Sequence, residues 1–218
     1  MEGMKVLTDS KHQATLFGNI LLTGIEGLRA EDYQFALSCN LLALEQADKI
    51  YNSDTKPGRW IDYYADVLWS HGWNRDQPGV EYVKSNFSGS VQQAWSNLAN
   101  GILPAEQVAG VEAGLVSLEK QVDLLQKIKG VSDKVFDLKI VPVSYNVNGE
   151  MEMVITHVRF IKSSLNSQYL FWNISQSMTQ LDIRARRVVI SPRVIEARRP
   201  SVEAALRKQS TKIEQYPI

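Results

Sequence analysis

The chain has 218 residues, 44% hydrophobic and 22% charged, and its 24 basic and 24 acidic side chains cancel. That length supports one sizeable core or two small ones, and the composition excludes a largely disordered chain. A single cysteine, Cys39, excludes an intrachain disulfide and a cysteine-built metal cage, and no apolar run reaches the roughly 18 residues of a membrane-crossing helix.

The start, "MEGMKVLTDSKHQ", lacks the basic and apolar stretches of a cleavable secretory signal. The expected location is the cytoplasm, or the exterior by a route needing no cleavable signal. "HQATLFGNILLTGIEGL" places Leu16, Phe17, Ile20, Leu21, Gly24, Ile25 and Leu28 at helical spacing, which predicts a first helix. "RAEDYQFALSCNLLALEQADKIY" predicts a second, with acids near its start and Tyr33, Leu37, Leu41, Leu44 and Tyr51 on its apolar face. Cys39 reads as a small buried hydrophobe, and "NSDTKPG" as a break.

"WIDYYADVLWSHGW" holds three of the five tryptophans. Trp60, Tyr63, Tyr64, Val67, Leu68 and His71 fall on one broad helix face, with Asp62, Asp66 and Ser70 opposite. Gly72 stands where a left-handed residue closes a helix, which makes Trp73 the residue that folds back onto Leu68. Core is therefore the expected place of Trp60, Tyr63 and Trp73. Tyr64 and Trp69 are the candidate surface aromatics.

"NRDQPGVEYVKSNFSGS" reads as a loop with one short extended segment, and "SVQQAWSNLANG" as a short helix. "PAEQVAGVEAGLVSLEKQVDLLQKIKG" opens on Pro104 and ends at Gly130. Its Val108, Val111, Leu115, Leu118, Val122 and Leu125 form a heptad seam, the pattern of a helix packed along another helix. Gly110 and Gly114 would admit a close neighbour.

From about residue 134 the apolar period becomes two. "VFDLKIVPVSYNVNGEMEMVITHVRFI" predicts a hairpin around Asn148-Gly149, with Val143 opposite Val154 and Tyr145 opposite Glu152. Pro142 lacks a donor, which points to an edge strand or a bulge. "SQYLFWNIS" and "TQLDIRARRVVI" supply two more strands. A C-terminal helix follows, capped by Ser191-Pro192 and interrupted at Pro200. The expected class is α+β: a helical region (1–133, about five helices), a four-stranded antiparallel meander with a closing helix (134–213), and a loose tail (214–218).

Residues 1–134 carry 12 basic against 17 acidic side chains, and residues 135–218 carry 12 against 7. The basic excess gathers at Arg184, Arg186, Arg187, Arg193, Arg198, Arg199, Arg207 and Lys208. Arg184, Arg186, Arg187, Arg198 and Arg199 are the candidate partner or anion surface, open to an anionic membrane or an acidic protein. The plainer reading pairs them with the acidic half of the chain or with a second copy. Nucleic acid is disfavoured by the overall neutrality and by the lack of a recognition module.

The catalytic inventory is sparse. There is no phosphate loop, dinucleotide fingerprint or nucleophile elbow. His12, His71 and His157 lie far apart, so no metal site and no cofactor are expected. Asp62, Asp66 and His71 are the nearest thing to an acid–base set, but the aspartates sit across the helix from the histidine. The leading expectation is a non-catalytic protein-binding factor of the bacterial effector, immunity or assembly kind, acting on a protein partner or on itself. The alternative is a soluble membrane-inserting, pore-forming or toxin-like protein.

Overall fold

A computed structural model of the chain describes residues 13–85, 91–121, 135–161, 180–209 and 214–217. In chain order the elements are β1 (Gln13–Phe17), β2 (Ile20–Gly24), α1 (Ala30–Ile50), α2 (Pro57–Ser70), β3 (Asn74–Arg75), β4 (Val80–Ser85), α3 (Val91–Ala99) and α4 (Ala105–Glu119). Then come β5 (Val135–Tyr145), β6 (Met151–Ile161), β7 (Gln180–Ile190), α5 (Pro192–Arg207) and β8 (Gln215–Pro217). One eight-stranded sheet runs β3-β7-β6-β5-β2-β1-β8, with β4 also pairing β7. The pairing is antiparallel except between β2 and β5. The α+β class holds, with a sheet larger than the four strands expected.

Strands from both sides of residue 134 share this sheet, so the expected boundary runs through it rather than between two units. The expected tail contributes β8, which pairs with β1. The expected strand at "SQYLFWNIS" lies outside the described residues.

Both faces of the sheet are covered. One carries Phe17, Ile20, Leu22, Val141, Val143, Met153, Ile155 and Val188 against α1, α2 and α5. The other carries Leu16, Leu21, Ile140, Val154, Val158 and Ile183 against α3 and α4. Two-sided burial explains the misread first helix. A strand buried on both faces is apolar without alternation, and its run imitates a helical stripe. The segment is a hairpin turning at Gly18-Asn19, with Phe17 opposite Ile20 and Gly18 at φ +54°.

Val108, Val111, Leu115 and Leu118 of α4 are buried as expected, but they join α3 and the sheet rather than a long partner helix. Gly114 does admit a close neighbour, and it is a strand: a methyl there would lie 3.0 Å from Thr23 Cγ2. Val122 and Leu125 fall outside the described residues.

The β5–β6 turn is one residue longer than expected. Asn146 N–H donates to Glu150 O at 2.8 Å and Gly149 N–H to Asn146 O at 2.9 Å, with Gly149 at φ +71°. Asn146 Oδ1 also accepts from Asn148 and Glu150 N–H at 2.9 and 3.0 Å. This is a three-residue loop with a left-handed glycine at its end. Val143 therefore faces Met153, and Tyr145 faces Met151. A slip of one residue exchanges the faces of β6. Nor is β5 an edge strand, for it lies between β2 and β6. Pro142 sits where the β5–β6 pairing is interrupted, between Ile140 and Val143, so no ladder bond calls for its missing donor.

α2 closes as expected. Trp73 N–H donates to Leu68 O at 3.2 Å and Gly72 N–H to Trp69 O at 2.9 Å, with Gly72 at φ +101°. A methyl on Gly72 would lie 2.7 Å from Val194 Cγ1. Gly72→Ala is expected to destabilise the fold by about 2 kcal/mol, read as a lower urea midpoint at unchanged slope.

Candidate functional site

Three adjacent strands carry polar residues on the face that α1 and α2 cover. Asp137 and Lys139 alternate with Leu138 and Ile140, His157 and Arg159 with Val158 and Phe160, and Asp182 and Arg184 with Ile183 and Ala185. The register aligns them in two rows, Asp137–Arg159–Asp182 and Lys139–His157–Arg184. The first row alternates in sign, as cross-strand charges prefer.

Asp137 is the hub. Its Oδ2 accepts from Lys139 Nζ at 2.8 Å and from Ser53 Oγ at 2.7 Å, and its Oδ1 lies 2.9 Å from His157 Nε2. Asp137, Lys139 and His157 are all about 1% exposed or less. Asp182 bridges Arg159 at 3.5 Å and Arg184 at 3.1 Å, and Arg184 reaches Glu81 on β4 at 2.7 Å.

The α1–α2 hairpin closes the cluster from above. The Trp60 ring centre lies 4.4 Å from Lys139 Nζ and 5.2 Å from the His157 ring, and its Nε1 donates to Asp48 Oδ1 at 2.7 Å. Arg159 also donates to the Asp54 carbonyl, and Arg186 Nε bonds Asp62 Oδ1 at 2.9 Å. The result is an ionic seam between a helical layer and the sheet.

Burial sets the electrostatics. Desolvation pushes the Asp137 carboxyl up, but the charge that His157 takes on in acid, the charge of Lys139 and the hydrogen bonds of both outweigh it and hold it well below the usual carboxylate range. Desolvation lowers His157, only partly offset by Asp137, so the imidazole is neutral at pH 7. Desolvation raises Asp48 and Asp54, and Asp137 raises both further. His157 Nδ1, Asp54 Oδ1 and Arg159 Nε have no partner among the described residues. Such groups in one place are a setting for ordered water.

As chemistry, the order is that of a structural pair. The Asp137 carboxylate stands between the Ser53 hydroxyl and the His157 imidazole, whereas a histidine that activates a serine must bond it directly. Asp62, Asp66 and His71 do not converge: Asp62 bonds Arg186, and Asp66 bonds Arg75 at 2.7 Å. Among the described residues no group of three or more His, Cys, Asp or Glu is placed to hold a metal ion.

The five candidate arginines separate. Arg184 and Arg186 belong to the seam. Arg187, on the opposite face, bonds Glu152 at 2.6 Å and Asp76 at 3.2 Å; Glu152 in turn accepts from Gln107 Nε2 of α4 at 2.8 Å. Arg199 bonds the buried Asp32 at 2.9 Å and the Glu31 carbonyl at 2.7 Å, which ties α5 to the start of α1. Arg198 is exposed.

Of the two candidate surface aromatics, Trp69 is 65% exposed, but Tyr64 is fully buried. Tyr64 stacks 5.0 Å from Trp60 and its hydroxyl donates to Asn40 Oδ1 at 2.5 Å. A stripe six residues wide on α2 meets both α1 and the sheet, which leaves Tyr64 no route to solvent. Trp60 and Trp73 are core as expected, and Tyr63 is half-buried against Tyr51. Sequence reasoning missed Ser53, Asp137, Lys139, Arg159 and Asp182. Their one signal is charge at alternate positions of three strands, which becomes meaningful only when the register is known.

No family model matches the chain, and no curated protein matches it. Nine chains of solved structure match it in fold. The activated Cyt2Ba monomer from Bacillus thuringiensis subsp. israelensis does so at TM-score 0.52 and 14% identity, over 79% of this chain and 97% of that one. A delta-endotoxin does so at TM-score 0.54 and 11% identity, over 88% of each chain. In fold, this chain is similar to a delta-endotoxin and to the activated Cyt2Ba monomer.

Proposed function

We propose that this chain is a non-catalytic, toxin-like protein that is soluble until it meets a membrane and then inserts into it. The observation that carries this reading is the fold likeness to a delta-endotoxin across most of both chains. It favours the membrane alternative over the protein-binding factor. Two supports of the latter have also weakened, because β5 is interior and four of the five candidate arginines are bonded within the chain.

The seam adds a physical reason. No helix among the described residues is long and apolar enough to cross a membrane, so insertion requires rearrangement. Lifting α1–α2 from the sheet returns Asp137, Lys139, Arg159 and Asp182 to water. Buried ions regain hydration on exposure, so this part of the contact costs less to open than an apolar one of equal area. The apolar part, around Met153, Ile155 and Val188, is then free to meet lipid.

The test is dye release from vesicles of phosphatidylcholine mixed with phosphatidylglycerol. Release in proportion to added protein supports the reading. A chain that neither binds nor permeabilises such vesicles returns the balance to the protein-binding factor.

A further inference from the structure

With the internal pairs assigned, the end of α2 and the start of α5 keep an exposed aromatic ring and positive charge that has no acidic partner among the described residues. Trp69 lies in the last turn of α2 and is the most exposed aromatic side chain among the described residues. Gly72 brings the first half of α5 against this end of α2: a methyl there would sit 2.7 Å from Val194 Cγ1 and 3.3 Å from Arg198 Cγ. Arg198 is thus anchored by its stem beside the turn, with its side chain exposed. It is near enough to His71 that its charge adds to burial in lowering the pKa of that imidazole.

Arg198 has no acidic partner among the described residues, unlike Arg184, Arg186, Arg187 and Arg199. Arg193, in the first turn of α5, is exposed and likewise has none. Two acids of the same helices have other partners: Asp66 bonds Arg75 at 2.7 Å, and Glu196 lies 3.7 Å from Arg199.

We propose that this junction of α2 and α5, Trp69 with Arg198, is the surface by which the chain first seats on a bilayer rich in anionic phospholipid. A lone exposed tryptophan means little. An exposed indole at the helix end against which Arg198 is anchored matches the layering of a bilayer surface, with the ring at the headgroup level and the guanidinium on phosphates. The inference rests on the membrane reading and names the face that reading leaves open.

The experiment is flotation with vesicles of equal parts phosphatidylcholine and phosphatidylglycerol, and with phosphatidylcholine alone, scored together with dye release. Each unit of charge near an anionic leaflet changes affinity about fivefold, so Arg198→Glu, a change of two units, is expected to weaken binding to the anionic vesicles about 25-fold. Binding to the neutral vesicles should not change. Trp69→Ala should weaken both, by about tenfold. Arg207→Glu, an exposed position at the far end of α5, serves as the control and should lose markedly less. These side chains are exposed, so unchanged urea midpoints will certify the fold.

If the unaltered chain neither binds nor releases dye, the membrane reading itself fails. If it releases dye while Trp69→Ala and Arg198→Glu bind as it does, the membrane reading stands and this surface is overturned. An Arg207→Glu loss equal to that of Arg198→Glu also overturns it, in favour of diffuse charge attraction.

Discussion

Asp137→Ala is expected to cost about 3–5 kcal/mol of stability, the largest effect of any single substitution in the seam. The carboxylate holds Lys139, His157 and Ser53 at 2.7–2.9 Å in a place with almost no access to water. Its removal leaves a buried ammonium group without its bonded counter-charge and two more polar groups without their partner. Against a typical total of 5–15 kcal/mol, that is a large share. Two comparisons identify the cause. The double variant Asp137→Leu with Lys139→Met should recover much of the loss, because replacing both members of a buried pair is far milder than removing one. Asp66→Ala, which breaks an exposed pair with Arg75, should cost at most about 1 kcal/mol. Urea unfolding reads all three. A cost below about 1 kcal/mol for Asp137→Ala would mean that water reaches the seam and that it does not fasten the helical layer.

How much of this was legible in the sequence differs from element to element. α1, α2 and α5 were readable because each carries a clear boundary signal beside an apolar stripe, although α5 runs unbroken through Pro200, where an interruption was expected. The β1–β2 hairpin was not, since Leu16, Phe17, Ile20, Leu21 and Leu22 are all buried and a strand covered on both faces loses its period of two. Only Gly18-Asn19 marked the turn. The register of β6 was missed by one residue because a glycine after an asparagine serves two loop lengths, and Gly149 closes the longer one. That single residue decides which of Glu152 and His157 faces α2.

The seam was hidden for a related reason. Asp137, Lys139, Arg184 and Arg186 at alternate strand positions read as the solvent face of a one-sided sheet, and they are instead roofed by α2. The bland reading of the basic cluster, that it meets the acids of the same chain, accounts for Arg184, Arg186, Arg187 and Arg199. Trp69 could be separated from the core stripe by spacing alone. Tyr64 could not, because nothing in one helix reveals that two layers press on it.

Acid should loosen this protein through His157, in a window just below pH 6.5. The sign follows from the burial of the ring: its folded pKa lies below the ordinary 6.5, so between the two values the unfolded chain binds more protons than the folded one. Stability therefore falls as pH drops below 6.5, at up to about 1.4 kcal/mol per pH unit for the one proton involved. The groups around the ring are Asp137, Asp54, Lys139, Arg159 and Trp60, and protonation adds a charge beside two cations, opposed by the Asp137 and Asp54 carboxylates. His71 is lowered by burial and by Arg198, and it adds to the same window. The carboxylates act lower. Asp137, held down, keeps its stabilising charge until well below pH 3.8, whereas Asp48 and Asp54, held up, take protons more readily folded than unfolded and oppose the loss. The fall between neutrality and pH 5 thus belongs to the two histidines. Urea midpoints of His157→Gln and His71→Gln, compared at pH 7 and pH 5, divide it between them, and His157→Gln should flatten the larger part. If opening of the seam precedes insertion, dye release should quicken over the same interval and lose that dependence in His157→Gln. A midpoint that ignores pH in the unaltered chain would show that the imidazole is already solvated, and that the ionic seam sets no threshold for the movement of α1 and α2.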